Sequence, residues 1–262
     1  RTPSSPRPPS PAEPVTELRR IPIRECGEPL VDYTSYCPGL EIAKPVFDYT
    51  RATFVRKTVG DMLNRAVAAL PKGYRLGILE GWRPVYIQRR MYLTTWNRFK
   101  AQHPDWSDVQ LRRVVNRFTA PPEAAVPPPH STGGAVDVFL VDESGKRINH
   151  SQPYELLDSK SFAMDCHGLD GEAQAHRTIL RQAMIEGGMT NYPSEWWHWS
   201  YGDQGWAYRA PQGSLYEPKE PVAIYGPIYA PEGWTPVPED QTDEPLIRLD
   251  AAERARRQSI MD

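Results

Sequence analysis

Apolar residues recur at helical intervals in some stretches of this chain and alternate in others, and the changes of period mark its elements. Over 58–70, Val59, Met62, Leu63, Ala66 and Leu70 return every three or four residues, the stripe of a helix packed on one face. Thr58 and Asp61 are spaced as a capping box at its start. Residues 74–79 predict a strand, and Gly81-Trp82-Arg83-Pro84 a turn into a second helix, whose first turn tolerates a proline because that N–H has no intrahelical partner. Arg83 is thereby placed at a strand-to-helix junction. Residues 135–141 alternate as a strand. Residues 170–186 predict a helix with Asp170 as N-cap and Gly187-Gly188 as its stop, and 195–201 a further strand. Helices and strands mix without βαβ regularity or internal repeats, which predicts an α+β fold, a mainly antiparallel sheet with packed helices.

The ends differ in character. Residues 1–14 are dominated by Pro and Ser with no apolar period, a composition that cannot offset the entropy of ordering. A second proline-rich stretch, 211–245, carries Tyr216, Tyr225, Tyr229 and Trp234, and is expected to wrap the body in extended form. Residues 246–261 have helical propensity and several Arg, which predicts a surface helix or a frayed end. The expected division is a flexible tail over 1–20, a functional body over 21–210, and a wrapping segment with a C-terminal helix or tail over 211–262.

A length of 262 residues accommodates one domain with a full core. The formal charge of −2 supplies no global field for nucleic acid or an anionic membrane, and with a mean hydropathy of −0.60 and no run of eighteen apolar residues, no membrane span is expected. The chain starts at Arg1 with neither a Met nor an apolar signal core. The compartment is therefore the periplasm or cell envelope if a signal peptide has been removed, and the cytoplasm otherwise. Oligomeric state is left open. Cys26, Cys37 and Cys166 form no C-x-x-C pair; either Cys26 and Cys37 bridge in an oxidising compartment or all three are buried thiols.

Two histidines have unusual neighbourhoods, in 129–137 (PHSTGGAVD) and 195–199 (EWWHW). A catalytic zinc takes three His or carboxylate ligands and leaves one position open, a set that His130, Asp137 and His198 can supply. On an alternating strand Asp137 shares a face with Ala135 and Phe139, where a carboxylate needs a cation. The odd spacing from His130 to Asp137 demands a bend, which Gly133-Gly134 permits. Glu195, three residues from His198, is either a partner behind the ligand or the base that takes a proton from water, and the flanking Trp196, Trp197 and Trp199 favour the base by raising its proton affinity. Ser131 and Thr132 lie beside a histidine, but no carboxylate orients a triad.

The pattern H-x-x-G-x-A-x-D from His130 to Asp137, followed by E-W-W-H from Glu195, resembles the signature of the zinc D-alanyl-D-alanine dipeptidases and carboxypeptidases, relatives of the zinc fold of Hedgehog domains. Glu80-Gly81-Trp82-Arg83-Pro84 is similar to the D-G-Y-R-P element of the VanX-type dipeptidase branch, and the resemblance covers about 33–201. It implies a Hedgehog/DD-peptidase-like fold, zinc as cofactor on His130, Asp137 and His198, Glu195 as general base, Arg83 meeting the developing oxyanion, and a small peptide as partner. It also places Tyr33 and Glu155 at the substrate's ammonium. Glu155 stands where the family has Asp, and Pro128 where it has Ser, so the departures touch the substrate more than the chemistry. The implied reaction is hydrolysis of D-alanyl-D-alanine or a related dipeptide; the alternatives are a D,D-carboxypeptidase or endopeptidase on cell-wall peptides, and a zinc-binding module without catalysis.

Overall fold

The computed structural model describes residues 13–123, 125–150, 162–166, 168–209 and 220–250. From the N-terminal side come helix α1 (Val15–Leu18), strand β1 (Leu30–Asp32), helix α2 (Tyr33–Tyr36), and strands β2 (Glu41–Ile42) and β3 (Phe54–Arg56). Helix α3 (Lys57–Ala69), strand β4 (Tyr74–Glu80), helix α4 (Val85–Gln102) and helix α5 (Asp108–Val115) follow. A 3-10 turn at Pro129–Thr132 leads into β5 (Ala135–Asp142), and then come α6 (Gly171–Gly187), β6 (Thr190–Asn191), β7 (His198–Ser200) and α7 (Gln204–Arg209).

Five strands form one sheet in the order β2-β4-β5-β7-β6, in which only β2 and β4 run parallel; β1 and β3 pair antiparallel as a separate ribbon. The mixed architecture and the mainly antiparallel sheet match the expectation. Central β5 is buried at every position except its last, because both of its faces are covered. Gly77 on β4 lies under the Phe139 ring, where an added Cβ would come within 2.4 Å of it. Helices α3 and α6 pack against each other, and Leu63, Leu76, Ile78, Val138, Leu140 and Leu180 join one fully buried core.

Local chemistry accounts for most of the boundaries. The α6 start is capped by Asp170, whose side chain accepts the Ala173 N–H at 2.7 Å, and the helix stops where Gly188 turns left-handed at φ 106°. Helix α3 departs from expectation: it begins at Lys57 with Arg56 as N-cap, and no capping box forms, because the Thr58 hydroxyl donates to Glu28 instead. Pro84 is the N-cap of α4 rather than part of its first turn. The strand expected over 195–201 shortens to His198–Ser200, since the Glu195 N–H closes a turn onto the Tyr192 carbonyl at 2.9 Å.

Both ends pack more than their composition suggests. Residues 13–20 are not tail: α1 lies there, and Leu18 with Ile21 is buried against Ala207 and Ala223. Residues 220–250 run along the body, bridging Ile23 through Ala223 and Phe47 through Arg248, with Trp234 edge-on to Trp82 at 5.8 Å. The helix expected from 246 is absent over 246–250. There the backbone pairs with 46–47 instead, the Leu249 N–H donating to the Val46 carbonyl at 2.9 Å, so that Leu246 and Leu249 are both buried. Residues 1–12, 210–219 and 251–262 of the expected tail, wrapping segment and helix lie outside the described residues. The cysteines are all free, Cys26 exposed, Cys37 buried and Cys166 between, so neither the Cys26–Cys37 bridge nor a set of three buried thiols is found. Among the described residues no helix is long and apolar enough to cross a membrane.

Candidate active site

Antiparallel register sets three polar side chains abreast across the middle of the sheet. Glu80 of β4 faces Asp137 of β5, and Asp137 faces His198 of β7. A register shift between Ile78 and Glu80 accompanies the first pairing, an irregularity of the kind that re-aims a side chain at a strand's end. His130 arrives from the 3-10 turn, which ends in Gly133 at φ 72° before β5 begins. Close to it, Gly134 passes the Tyr201 carbonyl so tightly that a Cβ would stand 2.4 Å from that oxygen. The expected glycine bend thus brings His130 back over Asp137.

His130 Nε2 is 3.2 Å from Asp137 Oδ2, and His198 Nδ1 is 3.1 Å from Asp137 Oδ1. One donor atom from each of the three residues lies within 4.8 Å of the others, and all three residues are buried. The chemistry of the set fits a cation. Since the Gly81 carbonyl can only accept, His130 Nδ1, 2.9 Å away, donates to it, which turns Nε2 toward Asp137. Burial holds the His198 imidazole below its ordinary range, in the neutral form that ligates. Burial alone would raise the Asp137 carboxyl, but His130 and His198 outweigh it and keep the group well below the usual carboxylate range.

Glu195 lies at the rim of this set, Oε2 4.0 Å from His198 Nδ1, and 16% of its side chain is exposed. Burial, then the Asp137 charge, raises its carboxyl well above the ordinary value, with Arg83 acting the other way. Arg83 also reaches Asp137, Nη2 3.7 Å from Oδ2. Its guanidinium is gripped at two other points: Nε donates to Glu80 Oε2 at 3.3 Å and Nη1 to Gln88 Oε1 at 2.9 Å. Tyr49 donates its hydroxyl to the same Glu80 oxygen, and Gln88 is fixed through its Nε2 on the Ala120 carbonyl at 2.7 Å. Tyr49, Glu80 and Gln88 were not singled out from the sequence, although the three-residue step from Glu80 to Arg83 was visible in the E-G-W-R-P element.

His130, Asp137, His198, Glu195 and Arg83 all line one cavity of about 470 Å³, in the range of small-molecule sites. Tyr33 does not line it. The residue is fully buried behind the Gly81 turn, where a Cβ on Gly81 would lie 3.0 Å from its ring, and its hydroxyl has no hydrogen-bond partner. Glu155 lies outside the described residues.

Residues 41–214 match the peptidase family M15 model, described as D-ala-D-ala dipeptidase. The D-alanyl-D-alanine dipeptidase of Synechocystis sp. is 26% identical over 245 residues, covering 82% of this chain and 98% of that protein. Those of Escherichia coli and Enterococcus faecalis are 24% and 23% identical, covering 64% and 62% of this chain and 82% and 80% of their own lengths. A solved LD-carboxypeptidase is similar at 17% identity and a TM-score of 0.36, over 69% of this chain and 70% of that one.

Proposed function

The chain belongs to the D-Ala-D-Ala dipeptidase family of peptidases, and on that premise we propose that it hydrolyses D-alanyl-D-alanine or a related short D-amino-acid dipeptide with one zinc ion held by His130, Asp137 and His198. The convergence of Glu195 and Arg83 on the same buried His-Asp-His group carries the reading, because a purely structural metal needs neither. Bound there, zinc supplies Lewis-acid polarisation of the scissile carbonyl and a water of lowered pKa.

The chain's own residues do the rest. Glu195 takes the proton from the attacking water and returns it to the leaving amine, and its raised proton affinity suits both steps. Arg83, held by Glu80 and Gln88, presents a preorganised positive charge to the carbonyl oxygen as it becomes an oxyanion. The buried Trp197 ring lines the same cavity and limits the water around these groups. A cavity of about 470 Å³ suits a free dipeptide better than a cross-linked cell-wall polymer. Glu155 is the proposed receiver of the substrate's ammonium, which makes an unblocked N-terminus a requirement.

Zinc-loaded protein is expected to cleave D-alanyl-D-alanine, to lose activity on chelation, and to recover it with one equivalent of zinc by elemental analysis. N-acetylation should lower kcat/KM by roughly two decades, as expected when a charge-assisted contact to the ammonium is lost. Full activity in metal-free protein would remove the metal reading, and equal rates on both peptides would point to a carboxypeptidase.

A further inference from the structure

The cavity continues past His198 and Tyr192 to Arg209, the last residue of α7. This guanidinium is built in: only 10% of the side chain is exposed, Nη2 donates to Ser200 Oγ at 2.6 Å, and Nε donates to Thr190 Oγ1 at 3.1 Å. The Ser200 hydroxyl is turned to accept because its own proton goes to Asp203 Oδ1 at 2.9 Å. The remaining nitrogen, Nη1, is occupied by a carboxylate of the chain itself, that of Glu13 beside α1. Burial holds the Glu13 carboxyl above its usual range even with Arg209 against it, and Asp203 adds to that. Glu13 is therefore an anion seated at a cost in a cavity that also holds the metal ligands.

Among the described residues, the other cations lining this cavity are committed or peripheral. Arg83 is bound to Glu80 and Gln88, and Arg51 donates to the Leu79 and Ala43 carbonyls. Lys44, Arg98, Arg117 and Arg248 are exposed. Near the metal ligands the wall formed by Pro127, Pro128 and Pro129 has no backbone N–H to offer an anion.

We propose that Arg209 is a carboxylate-binding subsite that recognises the free C-terminal carboxylate of the peptide substrate, and that Glu13 occupies it until substrate displaces it. The proposal rests on the peptidase reading above. A guanidinium fork with two nitrogens already fixed is oriented before the ligand arrives, so a charge-assisted contact is gained with little further loss of side-chain freedom.

The test compares D-alanyl-D-alanine with D-alanyl-D-alaninamide on zinc-loaded wild type, Glu13→Gln and Arg209→Gln, and measures D-alanine and D-alaninamide binding to each by calorimetry. Wild type should prefer the free acid by about tenfold or more, through KM rather than kcat. Arg209→Gln should lose most of that preference, and Glu13→Gln should lower KM for the acid and tighten D-alanine binding severalfold while keeping Arg209 in place. Because Arg209→Gln also removes a structural anchor, Glu13→Gln is the deciding variant: unchanged KM and unchanged D-alanine affinity with a lower Tm would make the pair structural and overturn the proposal. If wild type cleaves neither peptide, the dipeptidase reading fails. The two binding series then decide the subsite: tighter D-alanine binding in Glu13→Gln supports it, and equal binding in all three proteins overturns it.

Discussion

At the scale of single residues, Glu195 and Arg83 are separable by what their replacement removes. Glu195→Gln keeps the shape of the side chain and cannot accept a proton, so zinc content should stay near that of the parent while kcat falls by roughly two to four decades. Loss of zinc together with loss of fold would make Glu195 structural. Gln88→Leu probes the grip on Arg83: with Nη1 released from its 2.9 Å partner, kcat should drop by about tenfold with KM little changed, the pattern of an interaction used chiefly in the transition state. A larger change in KM than in kcat would show that Arg83 serves ground-state binding. The candidate ligands and candidate base stood out in the sequence because His, Asp and Glu beside glycine and tryptophan are chemically unusual neighbours. Gln88 and Tyr49 did not, since a glutamine on a helix and a tyrosine in a loop carry no signal until the fold brings both to one guanidinium. Tyr33, expected at the substrate's ammonium, lies behind the Gly81 turn and out of the cavity, a placement that its sequence neighbours do not reveal.

Among the elements, the junction between the 3-10 turn and β5 decides whether His130 meets Asp137 and His198. Gly134 donates its N–H to Thr132 Oγ1 at 3.0 Å and accepts the Tyr201 N–H at 2.9 Å, so the turn, β5 and the end of β7 meet at this residue. An alanine there would force its methyl into the Tyr201 carbonyl, a backbone atom that cannot move without disturbing the β5–β7 register. Gly134→Ala should therefore cost on the order of 1–3 kcal/mol in urea denaturation and weaken zinc retention in the same protein. Unchanged zinc affinity would mean that the bend is not what aligns His130 with Asp137. The need for this bend could be read from the odd ligand spacing. The boundaries of neighbouring elements could not, because side chains far away in sequence compete for the same groups: Glu28 takes the Thr58 hydroxyl from the α3 cap, and Val46 takes the backbone of Leu249 from a helix.

For the whole molecule, stability depends on charged and titratable groups that composition counts but does not locate. His150 stacks on Trp196 with ring centroids 4.5 Å apart, and burial, aided by Arg147, His176 and Arg177, pushes its imidazole down to about 3. The unfolded chain binds a proton at this residue near pH 6.5, and the fold refuses it, so its contribution is full above that pH and is lost as pH falls toward 3, by about 1.4 kcal/mol per pH unit. His150→Phe keeps the stack and should flatten this slope between pH 6.5 and 4; an unchanged slope would assign acid sensitivity to other groups. Arg56, 2% exposed, has the wider reach: Nε donates to the Thr132 carbonyl at 2.8 Å, Nη1 to the Glu28 carbonyl at 2.7 Å, and Nη2 to the Gly226 carbonyl at 3.2 Å, with Glu25 as counter-ion and Tyr225 4.6 Å below the guanidinium. One side chain thus ties the N-terminal segment, the turn carrying His130 and the wrapping C-terminal stretch. A net charge of −2 distributed over 262 residues contains no trace of this. Lysine keeps the charge but cannot reach three carbonyls in a planar fork, so Arg56→Lys should destabilise the fold by roughly 3 kcal/mol, as when a buried charge loses its partners, and should loosen 220–250 in hydrogen exchange before the sheet opens. Equal protection of 220–250 in both proteins would show that the wrapping stretch is held by its own aromatic contacts, Trp234 on Trp82 and Phe54, and not through Arg56.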